Sequence, residues 1–409
     1  MRAVARRRFV LVMSLIAAIA AGELVVLPFM HGLSFVIRAA DMKGTVRRIA
    51  DLDADPERER EVTIPTVGGG MRARIYEPAV RAPRRTALLV SGLHPSGIDE
   101  PRLVRLARDL ASDDLRIVTP DIPELSRFEI TPAITDAIEQ AASWLATQPG
   151  FAPDGRIGMM GISFSGGLSI VAAGRPSLKD RVAYVFSFGG HDDLTRVLRY
   201  LCTGQEALPR GQVRLKADTT EVGSGRLQPD VLNKTPHDYG VAVILLGVAD
   251  RVVPAAQVER LREGVRRYLW ASALDSGVDQ SKAEAEFDAV RALARTLPQP
   301  AATLLREVVD RDVVHLGARL LPYVSLYGGA PALSVAKSPK PSSPVFLLHG
   351  TEDNVIPSVE SEYLAEDLRG HAPVRLLLSG LISHADADRP PHAGDVAALA
   401  SFWGDLLTR

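Results

Sequence analysis

Along most of the chain, short apolar runs alternate with stretches in which apolar residues recur every three or four positions, and turn residues separate the two. The first pattern suits strands buried on both faces, and the second suits helices buried on one. Glu61 to Val67 and Met71 to Tyr76 alternate apolar and polar residues around Gly68-Gly69-Gly70, which predicts a hairpin because glycine tolerates positive φ at the turn. Thr86 to Val90 reads as a buried strand, Pro101 to Ala111 as a helix, and Leu115 to Val118 as a strand closed by Pro120-Asp121. Thr131 to Ala146 is helical, with Thr131 at its N-cap and Pro132 in its first turn. Arg156 to Met160 and Val182 to Phe188 are strands around a helix over Gly166 to Ala173. Such alternation predicts an α/β chain with a doubly wound, mostly parallel sheet flanked by helices.

The rhythm stops near His191 and resumes at Pro344, where Val345 to Leu348 and Val374 to Leu378 give two more strands before a last helix ending near Leu407. Between them Ala255 to Tyr268, Lys282 to Thr296 and Ala301 to Leu321 have helical spacing, predicting a large helical cap over the C-terminal edge of the sheet. Gly211 to Gln228 reads as a polar surface loop, and Ser334 to Pro344 as a proline-rich linker back to the core. The expected division is a membrane and membrane-proximal segment over 1–44, a core over 45–193 and 341–409, and a cap over 194–340. Within the core, Thr45 to Arg60 reads as an amphipathic connector passing into a polar loop.

At the N-terminus Arg2, Arg6, Arg7 and Arg8 precede an apolar run from Phe9 to Met30 interrupted by one charge, Glu23. The run is long enough to span a bilayer, and the arginines place the remaining chain on the extracytoplasmic side. Ala18-Ile19-Ala20 offers a signal-peptide cleavage site and hence secretion as the alternative, but apolar residues continue beyond it to Ile37, which favours an uncleaved anchor.

Composition narrows the function. With 409 residues the chain has room for two units or one with a large insertion. Its 48 basic and 49 acidic side chains leave a net charge of -1, so there is no field for gathering nucleic acid. The single cysteine, Cys202, excludes an internal disulfide and a cysteine-rich zinc site. Nothing in the sequence implies a metal or organic cofactor, and nothing speaks to oligomeric state.

Acyl transfer from an ester needs a nucleophile, a base to take its proton, an acid to orient the base, and donors for the oxyanion. Gly161-Ile162-Ser163-Phe164-Ser165-Gly166-Gly167 joins a predicted strand to a predicted helix, where a sharp turn would raise the Ser163 hydroxyl above the sheet edge. Ser165 stands where the motif's second glycine is expected, and a frame with Ser165 as nucleophile stays open. The amides of Phe164 and of Leu93, in the loop Ser91-Gly92-Leu93-His94-Pro95-Ser96-Gly97, are the expected oxyanion donors. Asp353, after the strand Val345 to Leu348 and the turn at Gly350, is the expected acid, and His384, after the last strand, the base. The chain order Ser163, Asp353, His384 is the order this strand-turn-helix chemistry uses. Asp250, in Leu246-Gly247-Val248-Ala249-Asp250, imitates the acid loop, but its setting suits a cap helix. His94 and His191 could touch substrate, although turn and packing roles compete for both; His191-Asp192-Asp193 reads as a capping turn rather than a metal site.

With those residues in view the chain resembles the α/β-hydrolase superfamily, most closely its dienelactone-hydrolase-like and esterase-like branches. The resemblance covers Val62 to His191 and Pro344 to Leu407, and rests on the Ser163 segment, Val118-Thr119-Pro120-Asp121, Leu348-His349-Gly350-Thr351-Glu352-Asp353 and His384. Dienelactone hydrolases proper carry a cysteine nucleophile; serine here implies an esterase. The expected activity is hydrolysis of carboxylic esters or thioesters of small molecules through an acyl-enzyme. An acyltransferase using the same triad, or a non-catalytic binding module on the same fold, are the alternatives.

Overall fold

The computed structural model describes residues 26–206, 232–233, 236–275, 279–382 and 393–409. Eight strands form one sheet: β1 (Glu57–Thr66), β2 (Gly69–Pro78), β3 (Arg85–Val90), β4 (Leu115–Pro120), β5 (Ile157–Ile162), β6 (Val182–Phe188), β7 (Val345–Gly350) and β8 (Val374–Ser379). Their order is β1-β2-β4-β3-β5-β6-β7-β8. The β1–β2 and β2–β4 pairs are antiparallel, and all others are parallel. This is the α/β architecture that the apolar pattern predicts, and it fits an α/β-hydrolase sheet.

The parallel strands are short because helices cover both faces, so nearly every β3 to β7 side chain is buried. One face packs on the helices Pro132–Thr147 and Phe164–Ala173 and runs without a break into the cap helices. The other packs on Pro101–Ser112 and the C-terminal helix Ala393–Leu407. Across the hairpin, Thr66 faces Gly69, whose φ of 123° only glycine adopts without strain. β1 starts four residues earlier than predicted, in a run of alternating Glu and Arg. Glu77 on β2 is buried beside Arg58, Arg60 and Arg116, and this pairing makes a strand of what reads as a polar loop. Before it, the expected amphipathic connector contains the short helix Thr45–Ala50.

A helix over residues 26–39 packs against the C-terminal helix. A Cβ on Gly32 would lie 1.9 Å from the Ala400 carbonyl oxygen, and one on Gly404 2.1 Å from that of Pro28, so only glycines permit this approach. The Phe35 and Trp403 ring centroids are 4.3 Å apart, and Arg38 forms a buried ion pair with Asp113. One face of residues 28–38 therefore packs on the folded core, although the sequence assigns them to the anchor and the segment next to it. No helix among the described residues is long and apolar enough to cross a membrane, and the predicted anchor up to Val25 lies outside the described residues.

The insertion is helical as expected: Leu194–Thr203, Asp238–Val252, Ala255–Asp275, Gln280–Thr296, Ala301–Val309, Val313–Leu320 and Val324–Gly328. The single helix predicted over Ala301 to Leu321 is broken. Arg311 takes a φ of 54°, and Asp312 turns its carboxylate to the His315 amide at 3.1 Å, capping a new helix. The cap shares its hydrophobic core with the sheet instead of forming one of its own. It reaches the C-terminal edge where the His237 amide donates to the Asn354 carbonyl at 3.0 Å. The predicted linker from Ser334 contains the short 3-10 turn Val335–Lys337, and another, Pro331–Leu333, comes just before it. The loop predicted over Gly211 to Gln228 lies outside the described residues.

Candidate active site

Ser163 follows the last residue of β5 and precedes the helix Phe164–Ala173, with φ 57° and ψ -132°. That combination is strained for a residue with a Cβ and is held only because neighbours enforce it. The Ser163 amide donates to the Phe188 carbonyl at 2.7 Å, tying the turn to the end of β6. Small residues make room. A Cβ on Gly161 would meet the Ser165 carbonyl oxygen at 2.2 Å, and one on Gly167 the His191 carbonyl oxygen at 2.5 Å. Ser163 is half-buried, and its turn raises it at the C-terminal edge of the sheet.

Ser165 is fully buried, and its hydroxyl donates to the Ser91 carbonyl at 2.6 Å. This bond ties the turn at Ser163 to the loop after β3, and it leaves the rival frame at Ser165 without an accessible hydroxyl. The same contact brings Gly92 beside Ser163, since a Cβ on Gly92 would sit 3.5 Å from the Ser163 Cβ. Leu93 follows directly. Its carbonyl accepts from the hydroxyl of Tyr239, on the first turn of the cap helix Asp238–Val252, at 3.2 Å. Phe164 is the first residue of its helix, so its amide has no carbonyl within the helix to bond, and the positive end of the helix lies beside Ser163.

Strand register carries the site across the sheet. Ile162 pairs with Phe188, Phe188 with Leu348, and Ser379 with Gly350, so the segments after β5, β6, β7 and β8 leave the same edge side by side. Adjacent strands are about 4.8 Å apart, so the turn at Ser163 and the turn after β7 are roughly 10 Å apart. Asp353 is 2% exposed in that second turn. Its Oδ1 accepts from the Val355 and Ile356 amides at 2.9 and 3.0 Å, which fixes the carboxylate plane. Its Oδ2 is turned toward Gly189, where a Cβ would be 3.5 Å away, and lies 3.4 Å from His349 Nε2. His384 lies outside the described residues; the described chain after β8 reaches Ile382, whose carbonyl oxygen would be 2.3 Å from a Cβ on Gly350.

Three other residues have structural duties. His94 Nδ1 accepts from the Ser96 amide at 3.2 Å, shaping its own loop, and burial lowers its pKa. His191 is completely buried behind the helix of Ser163, with Nε2 2.8 Å from the Leu333 carbonyl and its ring 5.7 Å from that of Phe164. It therefore has no surface to offer a substrate, contrary to the expectation that it could line the pocket; burial lowers its pKa. Asp250 is an exposed side chain on a cap helix, beside Arg251 and Arg262. Sequence reasoning passed over Tyr239 and Glu360. Glu360 is buried and accepts from the Asp192 and Asp193 amides at 3.0 and 3.2 Å, and Arg196 grips it through Nε and Nη2. Asp193 meanwhile caps the helix Leu194–Thr203 through the Thr195 amide at 2.8 Å. A glutamate two residues into a helix gave no sign of being buried, because its partners Arg196 and Asp193 are 164 and 167 residues away in sequence.

No family model matches the chain, and no curated protein matches it at the sequence level. Among solved structures, a thermostable carboxylesterase cloned from a metagenomic library is 15% identical, covering 94% of this chain and 97% of its own, at a TM-score of 0.44. An esterase from Pyrobaculum calidifontis is 16% identical over 91% of this chain and 93% of its own, at 0.39. A dienelactone hydrolase from Anabaena variabilis is 14% identical over 86% and 96%, at 0.38. Likeness at this level carries no argument about chemistry. Function has to be read from the site residues.

Proposed function

We propose that this chain is a serine hydrolase of the α/β-hydrolase superfamily that cleaves carboxylic esters or thioesters through an acyl-enzyme on Ser163. The observation that carries the reading is the φ of 57° at Ser163, between a buried strand and a helix whose first amide is Phe164. Ordinary turns avoid such strain, and here it falls between the start of the helix Phe164–Ala173 and Gly92 of the loop after β3. Asp353 in the turn after β7, with one oxygen held by two amides, supports its role as the acid. His384, two residues beyond the contact of Ile382 with Gly350, is assigned as the base.

In the proposed reaction His384 takes the proton as Ser163 Oγ attacks the carbonyl carbon, and the Phe164 and Leu93 amides hold the resulting oxyanion. The protonated His384 passes that proton to the departing alcohol or thiol. Water, deprotonated by His384, then attacks the acyl-enzyme and releases the acid. The apolar run from Phe9 supports membrane attachment with the catalytic domain on the extracytoplasmic side. A fluorophosphonate probe tests the chemistry: the wild type and Ser165→Ala should be labelled and turn over chromogenic esters, and Ser163→Ala should do neither. Labelling that survives in Ser163→Ala would overturn the assignment.

A further inference from the structure

We propose that the surface formed by the helix over 26–39 and the segment to Leu52 is a membrane-docking face, seated in the interfacial layer of a lipid bilayer. It rests on the reading of the apolar run from Phe9 as an anchor that ends before Pro28, where the chain meets the C-terminal helix. Eleven large hydrophobic side chains are exposed among the described residues, and seven of them lie between positions 26 and 52. Leu52 is 86% exposed, Ile49 61% and Leu27 58%. Chance scatter over the surface would not gather them in one short stretch, and exposed apolar patches of this kind mark interaction surfaces.

The stretch is not a frayed end. The Ser34 hydroxyl and Arg38 Nη1 both donate to the Ala50 carbonyl at 2.9 Å, and His31 Nδ1 lies 2.7 Å from Asp53 Oδ2. These ties lay the segment Thr45–Asp53 back along the helix, so Leu52 comes beside the end that carries Leu27 and Met30. Val46 and Ile49, three apart on a helix, share one face of the short helix Thr45–Ala50. The buried Arg38–Asp113 pair and the Gly32–Gly404 contact lock this assembly to the core. At its rim Lys43 is 79% exposed, though paired with Asp41 at 2.7 Å, and Arg48 bonds only to Thr45 among charged or polar side chains described, which leaves Arg48 for lipid phosphates.

A bilayer is favoured over a second copy by where the chain comes from. The residues immediately before Val26 are the apolar run from Phe9, with Glu23 as its one charge, behind four arginines. Whatever medium accepts that run borders Val26, Leu27 and Met30. A face of this kind would lie in the headgroup layer, with its apolar side chains roughly 5–10 Å deep.

The test uses the full chain in liposomes of phosphatidylcholine and phosphatidylglycerol, with Ile49→Cys or Leu52→Cys carrying an environment-sensitive fluorophore. Val314→Cys, 77% exposed on the cap, is the control. Native Cys202 is buried with its thiol pushed up to about 12, so it does not compete for label. The chain should float with the liposomes, and brominated lipid should cut emission at 49 and 52 by about twofold or more while sparing 314. Flotation without quenching at 49 and 52 overturns the docking face and leaves the anchor standing. Emission shifted to the blue but unquenched means that protein covers the face, and overturns it too. Failure to float overturns both readings.

Discussion

The Tyr239 hydroxyl donates to the Leu93 carbonyl across 3.2 Å, so the first turn of the cap helix Asp238–Val252 holds the loop that lies beside Ser163. Tyr239 is also stacked edge-on to Phe128, with centroids 5.8 Å apart, and is half-buried. On the proposed reading, a cap residue thus acts on the Leu93 amide from one peptide away, by holding the Leu93 carbonyl, which makes it a positioning residue. Removing the bond in Tyr239→Phe should release about 1 kcal/mol of restraint. If the whole of that is lost from the transition state, kcat falls about fivefold. KM for a short chromogenic ester should change little. An equal rise in KM with kcat unmoved would show that Tyr239 shapes the substrate cavity instead.

Gly161→Ala is predicted to destroy the site without touching a reacting atom. Its Cβ would lie 2.2 Å from the Ser165 carbonyl oxygen and 2.7 Å from Ser169 Oγ, and backbone cannot yield as a flexible side chain does. Overpacking of this kind costs about 1–3 kcal/mol, read as a lowered urea midpoint, and fluorophosphonate labelling should be lost with it. Gly92→Ala is the contrast. Its Cβ would make ordinary contact with Ser163 at 3.5 Å, so stability should hold while activity on bulky esters drops.

These glycines show why the sheet and the turn at Ser163 were legible in the sequence. Strands β3 to β8 and their helices follow from apolar period, and their ends fall within about two residues of expectation, inside the usual scatter of element ends. Small residues around Ser163 mark a turn that admits nothing larger. The helix over 26–39 was not legible in the same way, because an apolar run has the same composition whether lipid or a C-terminal helix covers it. The close approach at Gly32 and Gly404, with the Phe35–Trp403 and Arg38–Asp113 contacts, tells the two apart. The charged start of β1 was hidden for the opposite reason, since Glu77 and its three arginines meet only after folding. His191 shows the limit of reading a histidine after a strand as functional: the carbonyl that engages it belongs to Leu333, 142 residues on, near the end of the insertion.

The Arg196–Glu360 pair joins the start of the cap to the helix behind the acid turn, and Arg196 also lies over the Tyr363 ring at 3.8 Å. Glu360 is 1% exposed, so Arg196→Met strands a buried carboxylate and should cost about 3 kcal/mol. Adding Glu360→Gln removes the stranded charge while keeping an acceptor for the Asp192 and Asp193 amides. The double variant should therefore be more stable than Arg196→Met alone, by about 1–2 kcal/mol in a urea-denaturation cycle. Additive losses would mean that the two side chains act independently.

His191 sets a pH dependence whose sign can be worked out. Burial lowers its pKa in the fold below the ordinary value, which the unfolded chain retains at about 6.5. Above that value both states carry a neutral ring and His191 adds nothing. Below it the unfolded state binds the proton that the fold refuses, so stability is lost as pH falls, by at most about 1.4 kcal/mol per pH unit. Asp192 next to it works the other way: burial raises its carboxyl to about 6, so its penalty grows as pH rises from about 4 to about 6. Glu360, Asp193 and Arg196 are the other charges facing the ring, and all remain in His191→Gln, which keeps a donor for the Leu333 carbonyl. Subtracting the variant's urea stability from that of the wild type should give a difference that is constant above pH 7 and shifts against the wild type between pH 6.5 and 5. A flat difference across that window would remove His191 as the titrating group.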